Sequence, residues 1–144
     1  LLLAEAYLED DQNREAMRQY ESVTDMEPDN LHALNNLAWL YFLEEDPRAA
    51  KTAERAHKIA PESGPVTDTY GWIMLNVGEF ERGFDLLKKA VTQSPMVPDI
   101  RFHYAAALAR MGNKAEARRI LEELLDSGVI FNAVADAREL LATL

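Results

Sequence analysis

Residues 31–63, LHALNNLAWLYFLEEDPRAAKTAERAHKIAPES, decide the fold. Their apolar positions follow the helical period twice. Leu34, Leu37, Ala38 and Tyr41 fall on one face of a first segment, and Ala49, Ala53, Ala56 and Ile59 on one face of a second. The stretch then recurs. Residues 64–97, GPVTDTYGWIMLNVGEFERGFDLLKKAVTQSPMV, and residues 98–127, PDIRFHYAAALARMGNKAEARRILEELLDS, repeat it at a spacing of 33 to 34 positions, and residues 1–30, LLLAEAYLEDDQNREAMRQYESVTDMEPDN, form a truncated copy ahead of it. A fixed period of this length implies stacked helical hairpins rather than a single globular core. Stacked hairpins expose a long curved surface, which favours binding over catalysis.

Each copy reads as helix A, a turn, helix B and a break. The spacing predicts helices near 1–10, 13–27, 30–44, 47–60, 65–77, 80–93, 98–111, 114–127 and 133–143. Pro28, Pro61 and Pro95 recur just after helix B, where a missing N–H and a restricted preceding residue end a helix. Gly78 and Gly112 fall at the A-to-B turn, where glycine takes a left-handed cap without strain, and Asp46-Pro47 takes that place one copy earlier. Asp29, Ser63 or Thr67, and Asp99 are the expected N-caps. Small residues recur where two helices must nearly touch: Ala38, Gly71 and Ala105 on the A helices, and Ala16, Ala49, Gly83 and Ala117 on the B helices. Residues 128–144 leave the repeat. They contain one short helix with Val134, Ala137, Leu140 and Leu141 on a single face, expected to cover the open apolar side of the last repeat.

The bulk numbers narrow the function classes. The 144 residues are 48% hydrophobic, as in an ordinary folded domain. No apolar run approaches the roughly 20 residues that cross a bilayer. The opening residues carry neither a basic stretch nor a small-residue cleavage site, and the chain starts without Met, so it is expected to be a piece of a longer protein. Cysteine is absent, which removes disulfides and thiolate metal sites from consideration. The net charge of −10 is lopsided. Residues 1–63 carry 14 acids and 6 bases, net −8; the remainder carry 11 and 9, net −2. Such a field repels nucleic acid and anionic lipid, and suits a basic, neutral or apolar partner.

The repeats resemble the tetratricopeptide repeat (TPR). Leu34, Leu37, Ala38, Tyr41, Ala49, Ala53, Ala56 and Pro61 match its pattern in the second copy. Tyr70, Gly71, Gly78, Phe80, Leu87, Ala90 and Pro95 do so in the third, and Tyr104, Ala105, Gly112, Ala117 and Leu121 in the fourth; the first supplies Leu3, Ala4, Tyr7, Ala16, Tyr20 and Pro28. The resemblance implies an all-α TPR solenoid of about four helix-turn-helix repeats with a C-terminal capping helix. Its divisions are 1–30, 31–63, 64–97 and 98–127 for the repeats and 128–144 for the cap. The strings LNNLAWLY (34–41), DTYGWIMLNVGEFERGFDLLKKAV (68–91), IRFHYAAALARMGNKAEARRILEELL (100–125) and the closing F-x(4)-DARELLATL (131–144) look like bacterial TPR lipoproteins of the PEP-CTERM/exosortase system, associated with exopolysaccharide loci. That narrower resemblance implies a periplasmic or outer-membrane-associated scaffold.

No catalytic constellation appears. His32, His57 and His103 lack metal-ligand spacing and are expected to be partly exposed helix residues. The acidic runs at Glu9-Asp10-Asp11 and Glu44-Glu45-Asp46 lack the spacing of a calcium loop, and no phosphate-binding glycine motif is present. No cofactor and no metal are expected. The inner surface of a TPR stack is lined by A-helix residues off the packing face. By repeat alignment these include Leu1, Glu5 and Leu8 in the first copy, and His32, Asn35, Asn36, Trp39 and Phe42 in the second. Asp68, Trp72 and Leu75 follow in the third, and Asp99, Phe102 and Ala106 in the fourth. Trp39 and Trp72 lie 33 residues apart at equivalent positions, suited to anchoring a peptide or a sugar ring. The candidate partner-binding groove is therefore Asn35, Asn36, Trp39, Phe42, Asp68, Trp72, Leu75 and Phe102. The basic carboxylate clamp of chaperone-binding TPR domains does not fit, since Leu1, Glu5 and Asp99 oppose it. The expected partner is a protein or peptide segment, basic or aromatic-rich rather than acidic. A polysaccharide, a second copy of the chain, or a larger enzyme for which this is the docking region are the rival readings.

Overall fold

The structure, a computed structural model, describes residues 12–144. The helix expected over 1–10, and with it Leu1, Glu5 and Leu8, lies outside the described residues. Eight helices and no strand are found among them: α1 (Asn13–Met26), α2 (Leu31–Leu43), α3 (Ala49–Ile59), α4 (Gly64–Asn76), α5 (Phe80–Gln93), α6 (Pro98–Arg110), α7 (Lys114–Asp126) and α8 (Val134–Thr143). The chain divides into two compact units between Pro61 and Glu62.

In the first unit α2 packs against both α1 and α3. Ala16 and Tyr20 of α1, Leu34, Leu37, Ala38 and Tyr41 of α2, and Ala49, Ala53 and Ala56 of α3 are buried. Ile59 was expected to continue the α3 stripe but is 42% exposed, because it is the last residue of the helix. The turn from α2 to α3 also departs from expectation. The left-handed residue is Glu45, at φ 55°, with Asp46 and Pro47 following it.

In the second unit α4 packs on α5, α5 on α6, α6 on α7, and α7 on α8. Gly78 and Gly112 have φ of 97° and 87°, the left-handed conformation that glycine adopts without strain. The three A-to-B turns among the described residues close alike: the N–H of Asp46, Glu79 and Asn113 donates to the carbonyl of Tyr41, Met74 and Leu108 respectively. This is the long-range bond of a Schellman cap. Close helix contact explains two other glycines. A Cβ on Gly83 would stand 2.6 Å from the backbone nitrogen of Leu75, and one on Gly71 would stand 2.9 Å from Leu86 Cβ and Leu87 Cγ. The end of the unit is built as expected for a cap. Ala137 of α8 is fully buried in a cluster with Phe102, Ala105 and Leu108 of α6 and Leu121 and Leu124 of α7, and Leu140, Leu141 and Leu144 pack against it.

Two expected N-caps are corrected. Asn30 rather than Asp29 caps α2, accepting from the Ala33 N–H, while Ser63 caps α4 by accepting from Val66 N–H. Asp99 sits inside α6, and its carboxylate accepts from the Ala133 N–H at 3.2 Å, tying α6 to the loop that enters α8.

Candidate binding surfaces

In the first unit, four of the candidate residues lie on α2. Asn35, Asn36, Trp39 and Phe42 are half-buried. The Trp39 and Phe42 rings sit 5.6 Å apart at 47°. Asn36 donates to the Tyr20 hydroxyl at 3.1 Å and lies 3.1 Å from His32 Nε2. The Asn35 side-chain oxygen is buried with no hydrogen-bond partner among the described residues. Elsewhere in this unit, a cleft of about 520 Å³ has Leu34, Leu37 and Tyr41 in its floor and Arg48, Lys51 and Arg55 at its rim. Two of those cations are committed. Arg48 pairs with Asp46 and Glu21 and lies 4.2 Å over the Tyr41 ring, and Arg55 pairs with Asp29. Burial, reinforced by the bond it donates to Glu21, pushes the Tyr41 phenol well above its ordinary range.

In the second unit the candidate residues are more deeply set. Asp68, Leu75 and Phe102 are buried, at 8%, 1% and 5% exposure, while Trp72 is half-buried. The correction with the largest consequence is His103. Expected to be partly exposed, it is 7% exposed, and its Nδ1 lies 2.8 and 2.9 Å from the two Asp68 carboxylate oxygens. With Asp68 ionised, Nδ1 carries the proton and donates. Burial pushes the Asp68 carboxyl above its ordinary value, and the hydrogen bond from His103 opposes that shift. The Trp72 ring stacks on His103 at 4.2 Å and 22°, with Phe102 at 5.9 Å from it. A signal for this pair was present in the sequence. His103 follows the repeat equivalent of Asp68 by one residue, which places the two on neighbouring A helices within reach of each other.

Trp72, Leu75 and Phe102 wall a cleft of about 390 Å³, shared with Leu140 and Leu144 from the C-terminal segment and with Arg110 and Lys114. Asp68 contributes beneath this wall by fixing His103, and Ala106 lies in its lining. Among the described residues no group of His, Asp or Glu is arranged to hold a metal ion. No described helix is long and apolar enough to cross a membrane.

Helical hairpins of this length, closed by matching left-handed turns and packed through small residues, agree with what the family comparison finds. Tetratricopeptide-repeat models match residues 1–64 and residues 74–129. The chain is built of tetratricopeptide repeats. A thermophilic TPR protein of Thermus thermophilus, TTC0263, superposes with a TM-score of 0.77 over 98% of this chain and 77% of its own, at 20% identity. YrrB, a TPR protein with an unusual peptide-binding site, superposes with a TM-score of 0.68 over 85% of this chain and 64% of its own, at 18% identity. At such identities the likeness concerns the fold. In sequence the chain is 30% identical, over 90% of its length, to cellulose synthase 1 operon protein C of Komagataeibacter xylinus. It spans about a tenth of the length of the curated relatives it matches.

Proposed function

We propose that this TPR segment is a noncatalytic scaffold that holds a segment of another protein against its A-helix faces. TPR folds commonly bind protein or peptide partners, and the observation that carries the reading here is the cleft beside Trp72. An indole fixed on one side by the His103 ring leaves its remaining surface available beside apolar walls, which is the arrangement of a binding anchor. The contact residues under this proposal are Trp72, Leu75 and Phe102 with Asp68 behind them in the second unit, and Asn35, Asn36, Trp39 and Phe42 in the first. The partner segment is aromatic-rich or otherwise apolar at the cleft. The cellulose synthase operon relatives support a setting in bacterial exopolysaccharide or envelope assembly, and the narrower resemblance to PEP-CTERM/exosortase lipoproteins points to the same setting.

The test is paired capture from a native cell-envelope extract, with wild-type protein and a folded Trp39→Ala/Trp72→Ala variant as baits. The expected result is a protein retained by the wild type and lost from the variant. Identical protein lists from both baits would remove the aromatic contacts from the proposal. A polysaccharide ligand is the second reading, favoured by the same operon relatives and by the partly open Trp72 ring. Quenching of tryptophan fluorescence by purified polymer, without any captured protein, would favour it.

A further inference from the structure

Resting on that reading, we infer that the cleft of the second unit takes an acidic protein segment, one that presents an aromatic or leucine-sized side chain to Trp72 and a carboxylate to Arg110 and Lys114. The chain as a whole is acidic, at −10, which by itself argues for a basic partner. The cleft reverses that sign locally. Its lining contains two cationic side chains and no Asp or Glu side chain. Both cations are exposed, and neither forms an ion pair among the described residues; Arg110 rests 5.8 Å from the Phe80 ring. Of the unit's other arginines, half-buried Arg101 pairs with Glu123 and exposed Arg119 with Glu116 and Glu123, while exposed Arg82, Arg118 and Arg138 form no ion pair among the described residues and do not line the cleft.

Helix stability accounts for one cation of the pair and not for the other. Arg110 closes the last turn of α6, where the helix dipole favours a cation, but Lys114 opens α7, where the same dipole disfavours one. The α7 start is already satisfied by Asn113, whose side chain accepts from the Glu116 N–H. Lys114 is thus a cation against the local field, facing an apolar cleft, next to a second unpaired cation. A carboxylate set between them answers both charges. The neighbouring hydrophobic walls exclude water on one side and strengthen the contact. A volume of about 390 Å³ has room for one large side chain and a flanking acidic group rather than a long apolar helix.

The experiment uses a short fluorescein-labelled synthetic peptide with Leu and Phe on one face and Glu on the other, and its matched form with Gln at every Glu, both titrated with the protein by anisotropy at low salt. The Glu peptide is expected to bind at least fivefold more tightly than the Gln peptide. Arg110→Gln/Lys114→Gln should abolish that preference, and raised salt should shrink it. Trp72→Ala is expected to weaken both peptides together, which reports on the cleft itself. Equal affinity of the Glu and Gln peptides with loss of both in Trp72→Ala overturns the charge inference and leaves the proposed function standing. Undiminished binding of both peptides to Trp72→Ala overturns both. Failure of the Glu peptide to bind, with alginate binding in its place, assigns the cleft to a polysaccharide. Failure to bind, with a concentration-dependent mass that the Arg110→Gln/Lys114→Gln variant loses, assigns it to a second copy of the chain. Either result ends the inference.

Discussion

Trp39 and Trp72 occupy the same position in successive repeats and have acquired different surroundings. Trp39 leans on Phe42 of its own helix. Trp72 is stacked on His103 of the next A helix in its unit, and His103 is in turn anchored by the buried Asp68. The register of a repeat therefore settles which face a residue is on. Within the second unit, the neighbouring helix makes the residue the wall of a cleft. The hairpins differ in the same way. Ala38 and Ala49 are the small contacts of the α2–α3 hairpin, and Gly71 and Gly83 those of α4–α5. The approach through Gly83 in the second unit is what sets Leu75, and with it the cleft wall, against α5.

The largest expected effect breaks this difference. Gly83→Ala drives a methyl group into the Leu75 backbone, which has no rotamer to yield, and should destabilise the protein by about 1–3 kcal/mol. The mirror change, Ala49→Gly in the first unit, removes a helix-favouring methyl and should cost about 0.5–1 kcal/mol. Urea unfolding of both variants measures the pair. A Gly83→Ala protein as stable as wild type would mean that the two hairpins are equally open.

The second change tests the buried pair. Asp68→Ala leaves the His103 N–H in a buried site without its acceptor, at a loss of about 1–3 kcal/mol. Asn35→Ala, its repeat equivalent, removes a side chain whose oxygen has no partner among the described residues, and the loss should be well under that. Thermal melts of the two variants side by side suffice. Equal losses would show that the Asp68–His103 contact contributes no more than its counterpart.

These residues also mark how far the sequence could be read. Helix order, hairpin pairing, the glycine turns and the small contacts followed from periodicity, because each is a local rule repeated several times. Asp68–His103 did not, because one residue of offset between neighbouring helices decides whether two side chains meet, and a repeat alignment treats them as separate columns. The candidate residues Leu75 and Phe102 were legible as members of the A helices but not as buried ones. Leu75 is buried in a cluster with Leu87 of α5 and Ala107 of α6, beside the close approach at Gly83, and Phe102 in a cluster that Ala137 of the non-repeating α8 helps to close. The cations of the cleft were hidden by the net charge, which averages over the whole chain. Asp99 was legible as a helix-start residue, yet the bond it makes is to the non-repeating segment.

A smaller effect concerns the turns. Glu45 holds φ 55° where Gly78 and Gly112 stand in the second unit. Glu45→Gly relieves a left-handed strain and should stabilise the first unit by up to about 1 kcal/mol, while Gly78→Ala should destabilise the second by a similar amount. A shift of the unfolding midpoint in the same direction for both variants would contradict the parallel between the turns.

The smallest expected effect lies at the helix starts. Asn30, Ser63 and Val97 precede α2, α4 and α6 with nearly the same extended backbone, at ψ of 101°, 116° and 113°. The first two accept a hydrogen bond from the first turn, and Val97 has no side chain that can. Val97→Ser supplies the missing acceptor in a geometry already formed. It should raise stability by about 0.5–1 kcal/mol, less whatever the 39% exposed valine contributes by packing. Val97→Ala is the control, since it removes the same methyl groups without adding an oxygen. The difference between the Ser and Ala variants in urea midpoint isolates the cap. If the two unfold together, the Asp99 and Ile100 N–H groups that Pro98 leaves at the start of α6 gain no more from a serine hydroxyl than from water, and the three described A helices begin by different means despite their shared backbone.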